Sequence, residues 1–299
     1  MKNTLHGPLA LRLSVAALVA FSSLSVSRAQ AEEPAKSQPK VIYSKFAPVS
    51  GSLVICGGGR LPGPVMDSFV KLAGGNRARL VIIPTASSIA DSDALESRMD
   101  FWRNQEVADV SVLHTRSRKT ADEADFVKPL AKASGVWFMG GGQGRVTDAY
   151  LGTEVQKMVQ AVLARGGVVG GTSAGAAIMS PVMIRRGSSK EAEVGEGLGF
   201  LPGTVIDQHF IKRNRQERLM GVLNSHPGMV GLGIDEGTAL IVQGRRMSVL
   251  GDSSVIACMP SIANGPPNVQ ILKSGDEVDL FNLCQSAVER TQVIASGAK

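Results

Sequence analysis

Residues 171–175 read Gly-Thr-Ser-Ala-Gly. This is a G-x-S-x-G pattern standing after a β-branched apolar run and before a stretch able to form a helix. In that setting a lone hydroxyl is a candidate nucleophile for acyl transfer. A sharp strand-to-helix turn leaves no room for bulky neighbours, which accounts for Gly170, Gly171, Ala174, Gly175, Ala176 and Ala177 around Ser173. The same turn aims amides of the new helix at the reacting centre, so the Ala174 N–H is a candidate oxyanion donor, worth about 3 kcal/mol of transition-state stabilisation. A second donor is expected from the glycine loop at 140–142, with Gly141 and Gly142 as candidates, and Gln143 adds a side-chain amide there. The competing reading is structural: small residues let a helix pack closely on a sheet. The strand-to-helix setting favours chemistry.

A serine nucleophile needs a base within hydrogen-bond reach. The four histidines are His6, His114, His209 and His226. His209 ends the run "TVIDQHF", where a strand would deliver it to a sheet edge, and is the favoured base; His226 lies in a turn-like "SHPG" and His114 follows an earlier strand. An acid must then orient the imidazole. Glu236, in "GIDEG" at another strand end, stands first and Glu191, in the loop after the serine, second, with Asp235 and Asp207 still open. The order serine, histidine, acid differs from the serine, acid, histidine order of α/β-hydrolases. Arg213, Arg215 and Arg218 follow the base closely. Such a run is commonly a solvated helix face, but beside a catalytic histidine its guanidinium groups suit a carboxylate-bearing substrate.

The elements that must position these groups are short apolar runs alternating with helix-period segments. "SLVIC", "RLVIIP", "DVSVL", "GVWFM" and "GGVVGG" read as strands, continuous rather than alternating, as in a parallel sheet buried on both faces. Glu154 to Ala164 is the clearest helix, with Val155, Met158, Val159, Val162 and Leu163 on one face and Gly166 and Gly167 as the stop. The expected fold is an α/β three-layer sandwich around a mostly parallel sheet. Ligands bind such sheets at the carboxyl ends of the strands. After Ser180 the segment "RRGSSKEAEVGEGLGF" reads as a glycine-rich charged loop, Lys212 to Leu223 as a basic helix, and the stretch from Met229 to Met259 as β-rich. Asn264 to Pro267 reads as a turn.

Residues 1–31 have the charged start, short apolar core and small-x-small ending of a cleaved secretory signal. Residues 32–50 read as a polar linker and 51–299 as a single catalytic domain, placed outside the cytoplasm, either secreted or periplasmic. The apolar core of the signal is too short to span a bilayer, and no membrane attachment is expected after cleavage. The net charge of +6 falls to +3 when Lys2, Arg12 and Arg28 leave with the signal, which argues against a nucleic-acid partner. Cys56, Cys258 and Cys284 have no metal-ligand spacing; one disulfide or buried thiols are both compatible with their settings. No metal or organic cofactor is expected. Pro62 in "CGGGRLPG" and Arg145 in "GGGQGR" stand where a dinucleotide fingerprint needs its third glycine. A homodimer stays open.

Taken together, "GGTSAGAAIMS", "IDQHFIKRNRQERL", "GLGIDEGTAL", "GGGQ" and "LVIIPTAS" resemble the cyanophycinase and aspartyl-dipeptidase family of serine peptidases, peptidase family S51, the cyanophycinase branch more than the dipeptidase branch. The resemblance spans Gly51 to about Val242. It implies a fold similar to class I glutamine amidotransferases, flavodoxin-like, with the serine on a nucleophile elbow. It also implies cleavage of β-aspartyl-arginine units from a poly-aspartate carrying arginine on each side chain. Carried over, Ser173 matches the nucleophile, His209 the base, Glu236 or Glu191 the acid, and Gln143, Asp207, Gln208, Arg213, Arg215 and Arg218 the substrate pocket. Gly142 departs from the family's aspartate in "GGDQ", and Lys212 from a common glutamine. An aspartyl dipeptidase, a general serine hydrolase and a non-catalytic binding module on the same fold are the alternatives.

Overall fold

A computed structural model describes residues 48–260 and 268–297. The signal, all but the end of the linker and the Asn264–Pro267 turn lie outside these residues. The strands are β1 (Val49–Cys56), β2 (Arg79–Ile83), β3 (Asp109–Val112), β4 (Gly135–Phe138), β5 (Val168–Thr172), β6 (Val182–Gly187), β7 (Ala192–Glu196), β8 (Thr204–Gln208), β9 (Val230–Ile234), β10 (Thr238–Gly244), β11 (Arg246–Gly251), β12 (Ser254–Met259), β13 (Asn268–Lys273) and β14 (Glu277–Asp279). The helices are α1 (Gly63–Leu72), α2 (Ala94–Arg103), α3 (Arg118–Ala121), α4 (Lys128–Lys132), α5 (Gln143–Tyr150), α6 (Glu154–Ala164), α7 (Ala174–Ala177), α8 (Gln216–Ser225) and α9 (Leu280–Gly297).

The main sheet runs β14-β11-β10-β1-β5-β4-β2-β3. Its β1, β5, β4, β2 and β3 pair in parallel, while β10, β11 and β14 add antiparallel strands on one edge. The five parallel strands are those expected from the continuous apolar runs. Leu80, Ile82, Val54 and Trp137 face one way, against Phe69, Met99 and Trp102 of α1 and α2. Val81, Ile83, Leu53, Ile55 and Phe138 face the other way, against Val155, Val159 and Val162 of α6. Both faces of β1, β2, β4 and β5 are therefore dry, so alternation vanishes from their sequence, while β3 at the sheet edge stays partly exposed; each buried side chain contributes about 1.5–3 kcal/mol. Helix α6 has the bounds expected, closed by the Gly166 and Gly167 amides donating back to the Leu163 and Val162 carbonyls.

A second sheet, β13-β12-β9-β8, brings the later segments alongside. Four differences from the expected layout stand out. Strand β1 begins at Val49 and takes the last two residues assigned to the linker. The charged loop after Ser180 holds the hairpin β6–β7. The basic helix begins at Gln216 rather than Lys212, because Asn214 adopts φ 50° and interrupts it. Beyond residue 267, where no element was expected, lie β13, β14 and α9. All three cysteines are free and buried, and burial pushes the Cys258 and Cys284 thiols up to about 12.

Candidate active site

Parallel strands in register end together, and this brings the chemical groups into one place. Cys56 of β1 lies opposite Thr172 of β5, so the chain leaves both strands at the same height. Ser173 follows at once, its amide donating to the Cys56 carbonyl at 2.9 Å. Its backbone sits at φ 54°, ψ −109°, a conformation that costs about 1–3 kcal/mol in a residue with a side chain. Gly171 and Gly175 make the turn tight: a side chain at 171 would begin 2.5 Å from the Gly175 carbonyl oxygen. In the second sheet Gln208 of β8 is opposite Ile234 of β9. His209 and Glu236 therefore leave that sheet side by side.

The three side chains form one hydrogen-bonded line. Ser173 Oγ is 2.8 Å from His209 Nε2, and His209 Nδ1 is 2.6 Å from Glu236 Oε1. The His209 ring is nearly buried, at 8% exposure for the residue. Burial pushes its pKa below the ordinary value; the Glu236 hydrogen bond works against that, and the charge of Arg213 adds to it. A neutral imidazole with one nitrogen on a hydroxyl and the other on a carboxylate is equipped to accept the serine proton.

The glycines after β1 hold this line in place. The His209 amide donates to the Gly57 carbonyl at 2.7 Å. Gly58, at φ +107°, lies flat on the imidazole, where an added Cβ would fall 2.4 Å from Cε1. As residues just after an apolar run, Gly57 to Gly59 are expected from the sequence to border the site; their contact with the histidine depends on two sheets meeting, which no local pattern shows.

A family model for peptidase family S51 matches residues 53–250. The chain belongs to peptidase family S51. Several curated relatives similar to this chain carry the name cyanophycinase. The one from Synechococcus elongatus is 34% identical over 205 residues, 66% of this chain and 63% of that protein. The one from Geminocystis herdmanii is 33% identical over 200 residues, 64% of this chain and 73% of that protein. The match thus spans under two thirds of the Synechococcus protein's length. A crystal structure of a peptidase from an acI-B1 Actinobacterium superposes with a TM-score of 0.58 at 23% identity, covering 78% of this chain and 98% of that one.

Within this S51 chain the other expected site residues divide into three groups. Glu191 is not on His209, whose Nδ1 is taken by Glu236; instead it lines a separate cavity of about 380 Å³ with Lys190, Arg218 and His226. Gly142 is not available as an oxyanion donor, because the loop turns its amide onto the Ala86 carbonyl at 2.8 Å. The amides of Ala174 and Gly141 have no hydrogen-bond partner among the described residues. Gln143 is half-buried, and its side-chain amide donates to the Ile184 carbonyl at 2.8 Å, tying α5 to β6.

The expected substrate pocket is largely bonded to itself. Arg218 donates through Nε to Asp207 at 2.7 Å, and its Nη2 also meets that carboxylate. Arg215 donates to the Gln208 carbonyl at 2.5 Å and to its side-chain oxygen at 2.8 Å. Burial first, then the charge of Arg218, lowers the Arg215 pKa to about 10. Arg213 is exposed and has no ion-pair partner among the described residues. It is the member of the trio left to meet a ligand.

Proposed function

We propose that the chain is a secreted serine-type exopeptidase that cleaves aspartyl peptides of the β-aspartyl-arginine kind through an acyl-enzyme. The observation that carries this reading is the unbroken Ser173–His209–Glu236 line at the ends of parallel strands. His209 Nε2 takes the Ser173 proton as Oγ attacks the scissile carbonyl carbon, and Glu236 stabilises the imidazolium that forms. The amides of Ala174 and Gly141 receive the oxyanion, and the backbone of Ser173 at φ 54° acts as a nucleophile elbow. His209 then gives its proton to the leaving amine, leaving an ester on Ser173. Water, deprotonated by the same imidazole, hydrolyses that ester and restores the hydroxyl.

The substrate class is supported by membership of S51, by the cyanophycinase names of the relatives, and by the exposed cation Arg213 beside the base, suited to the carboxylate of a chain end. The signal-like residues 1–31 support action outside the cytoplasm. The test incubates the purified protein with cyanophycin, a β-linked Asp-Arg peptide and an α-linked one, and identifies products by mass. Cleavage of cyanophycin and the β-linked peptide is expected, as is covalent labelling of wild type but not Ser173→Ala by a fluorophosphonate. Cutting of the α-linked peptide alone would overturn the substrate assignment, and an unlabelled wild type would overturn the serine mechanism.

A further inference from the structure

Away from the triad, the loops after β2, β3 and β4 share a polar network. The strand order reverses between β2 and β4, with β3 beyond one and β5 beyond the other, so these loops meet at a switch point of the sheet. Three successive carbonyls after β2 are all taken. Arg116 donates through Nη1 to Thr85 and through Nη2 to Ser87 at 3.0 Å. The carbonyl between them, on Ala86, accepts from Arg145 Nη1 at 3.0 Å and from the Gly142 amide at 2.8 Å. Arg116 is itself fixed by Asp91, to which Nε donates at 3.1 Å and Nη2 at 2.8 Å. Asp91 is held from its other oxygen by His114 Nε2 at 2.8 Å, and the second nitrogen of that ring meets Thr85 Oγ1 at 2.9 Å.

What this network grips is the glycine loop facing the serine. Gly141 lies so close to Ala86 that a Cβ would begin 2.1 Å from its carbonyl oxygen, and Gly140 approaches Ser173 from the other side, a Cβ there falling 3.5 Å from the serine Cβ. The Arg145 side chain runs along Gly142, with Cγ, Cδ and Nε each 3.7 Å from where a side chain at 142 would begin. We propose that Arg145, braced by the Arg116–Asp91 pair, is a positioning residue that holds the Gly141 amide aimed at the oxyanion formed on Ser173. Carbonyls ordinarily satisfied by water or a helix are here satisfied by guanidinium groups, Arg116 through two nitrogens and Arg145 through one, which give a loop the rigidity that a donor for a developing charge requires. Arg145 acts through the loop and touches no substrate.

The proposal rests on the serine-peptidase reading, and a fluorophosphonate tests the two separately because its phosphoryl oxygen needs the same donors. Labelling rates are measured over a range of probe concentrations for wild type, Arg145→Ala, Arg145→Met and Arg145→Lys, with melting temperatures alongside. Expected is a fall of about tenfold to a hundredfold in the limiting labelling rate of the Ala and Met variants. Half-saturation and the pH profile set by His209 should stay as in wild type, and Lys should recover part of the rate. Wild-type rates in the Ala and Met variants would overturn the positioning role. So would a change confined to half-saturation, which would mean that Arg145 binds the ligand itself. If Arg145→Ala fails to fold, Arg145→Met, which keeps the apolar stem, decides. An unlabelled wild type would fell the serine reading and this proposal with it.

Discussion

Asp207 and Arg218 hold each other in a bidentate pair sealed from solvent, their side chains 1% and 3% exposed. Asp207 sits two residues before His209, so the pair fixes the strand end that delivers the base. Arg215 Nη1 stands 3.6 Å from the same carboxylate, so losing Arg218 leaves Asp207 only this longer contact, and the loss belongs at the lower end of the range, about 3–5 kcal/mol, that breaking a buried pair costs. Arg218→Met should therefore lower the unfolding free energy by about that amount in urea titration, while Arg213→Ala, at an exposed position, stays within about 0.5 kcal/mol of wild type. The double variant Asp207→Leu with Arg218→Met should recover part of the loss. Equal midpoints for wild type and Arg218→Met would show that the pair does not brace the fold.

Gly58 makes a different kind of contact, backbone against ring. An alanine there would place its Cβ 2.4 Å from His209 Cε1 and would have to hold φ +107°. The ring must give way, and a misplacement of about 1 Å in a reacting group costs about a hundredfold. Gly58→Ala is expected to lose at least about that factor in kcat/KM, with a thermal melt showing that the protein still folds. Full activity in the variant would mean that the imidazole has more freedom than its packing allows.

The parts legible in the sequence are those whose signal is local or set by burial on both faces. Strands β1, β2, β4 and β5 appear as apolar runs, the exposed edge strand β3 only as a short β-branched one, α6 as a helical stripe ended by two glycines, and Ser173 as a hydroxyl among small residues. His209 and Glu236 were reached by one further rule, that functional groups gather at strand ends. What escaped depends on relations the chain does not print. The β6–β7 hairpin has β7 largely open to solvent, so glycines and charges there read as a loop. Helix α8 starts late because Asn214 takes a left-handed conformation at φ 50°, which residue type alone does not dictate. The Gly142 amide points away from the serine because of loop dihedrals, which composition does not determine.

The choice of acid gives a direct comparison. Glu236→Gln keeps the shape of the side chain but removes the charge that stabilises the imidazolium, a change that cost about 10⁴ in kcat for the aspartate of a serine-protease triad. A loss of about 10³ to 10⁴ in kcat is expected here, since Glu236 is partly exposed, at 33% for its side chain. Glu191→Gln, in the separate cavity beside α8, should leave kcat within about twofold of wild type. Kinetics with the cleaved Asp-Arg peptide separate the two; a large loss at 191 and none at 236 would reverse the assignment.

The pH dependence follows from the forces on His209. Catalysis needs the imidazole neutral, so kcat/KM rises as pH climbs through its pKa in the free enzyme. Burial, helped by the Arg213 cation, holds that pKa below its ordinary value of 6.5, and Glu236 opposes them. The acid limb is therefore expected below pH 6.5. Replacing Arg213 with glutamine removes a charge that disfavours the imidazolium, so the limb should move to higher pH, and less so in high salt, where an exposed cation is screened. Glu236→Gln removes the opposing interaction and should move the limb the other way. The same depression links to stability. The folded chain protonates this ring less readily than the unfolded one, so its contribution is present above pH 6.5 and fades as pH falls through the folded value. Fluorophosphonate labelling rates measured against pH for the three proteins read the limb directly, and a limb unmoved in Arg213→Gln would show that this cation does not act on the base.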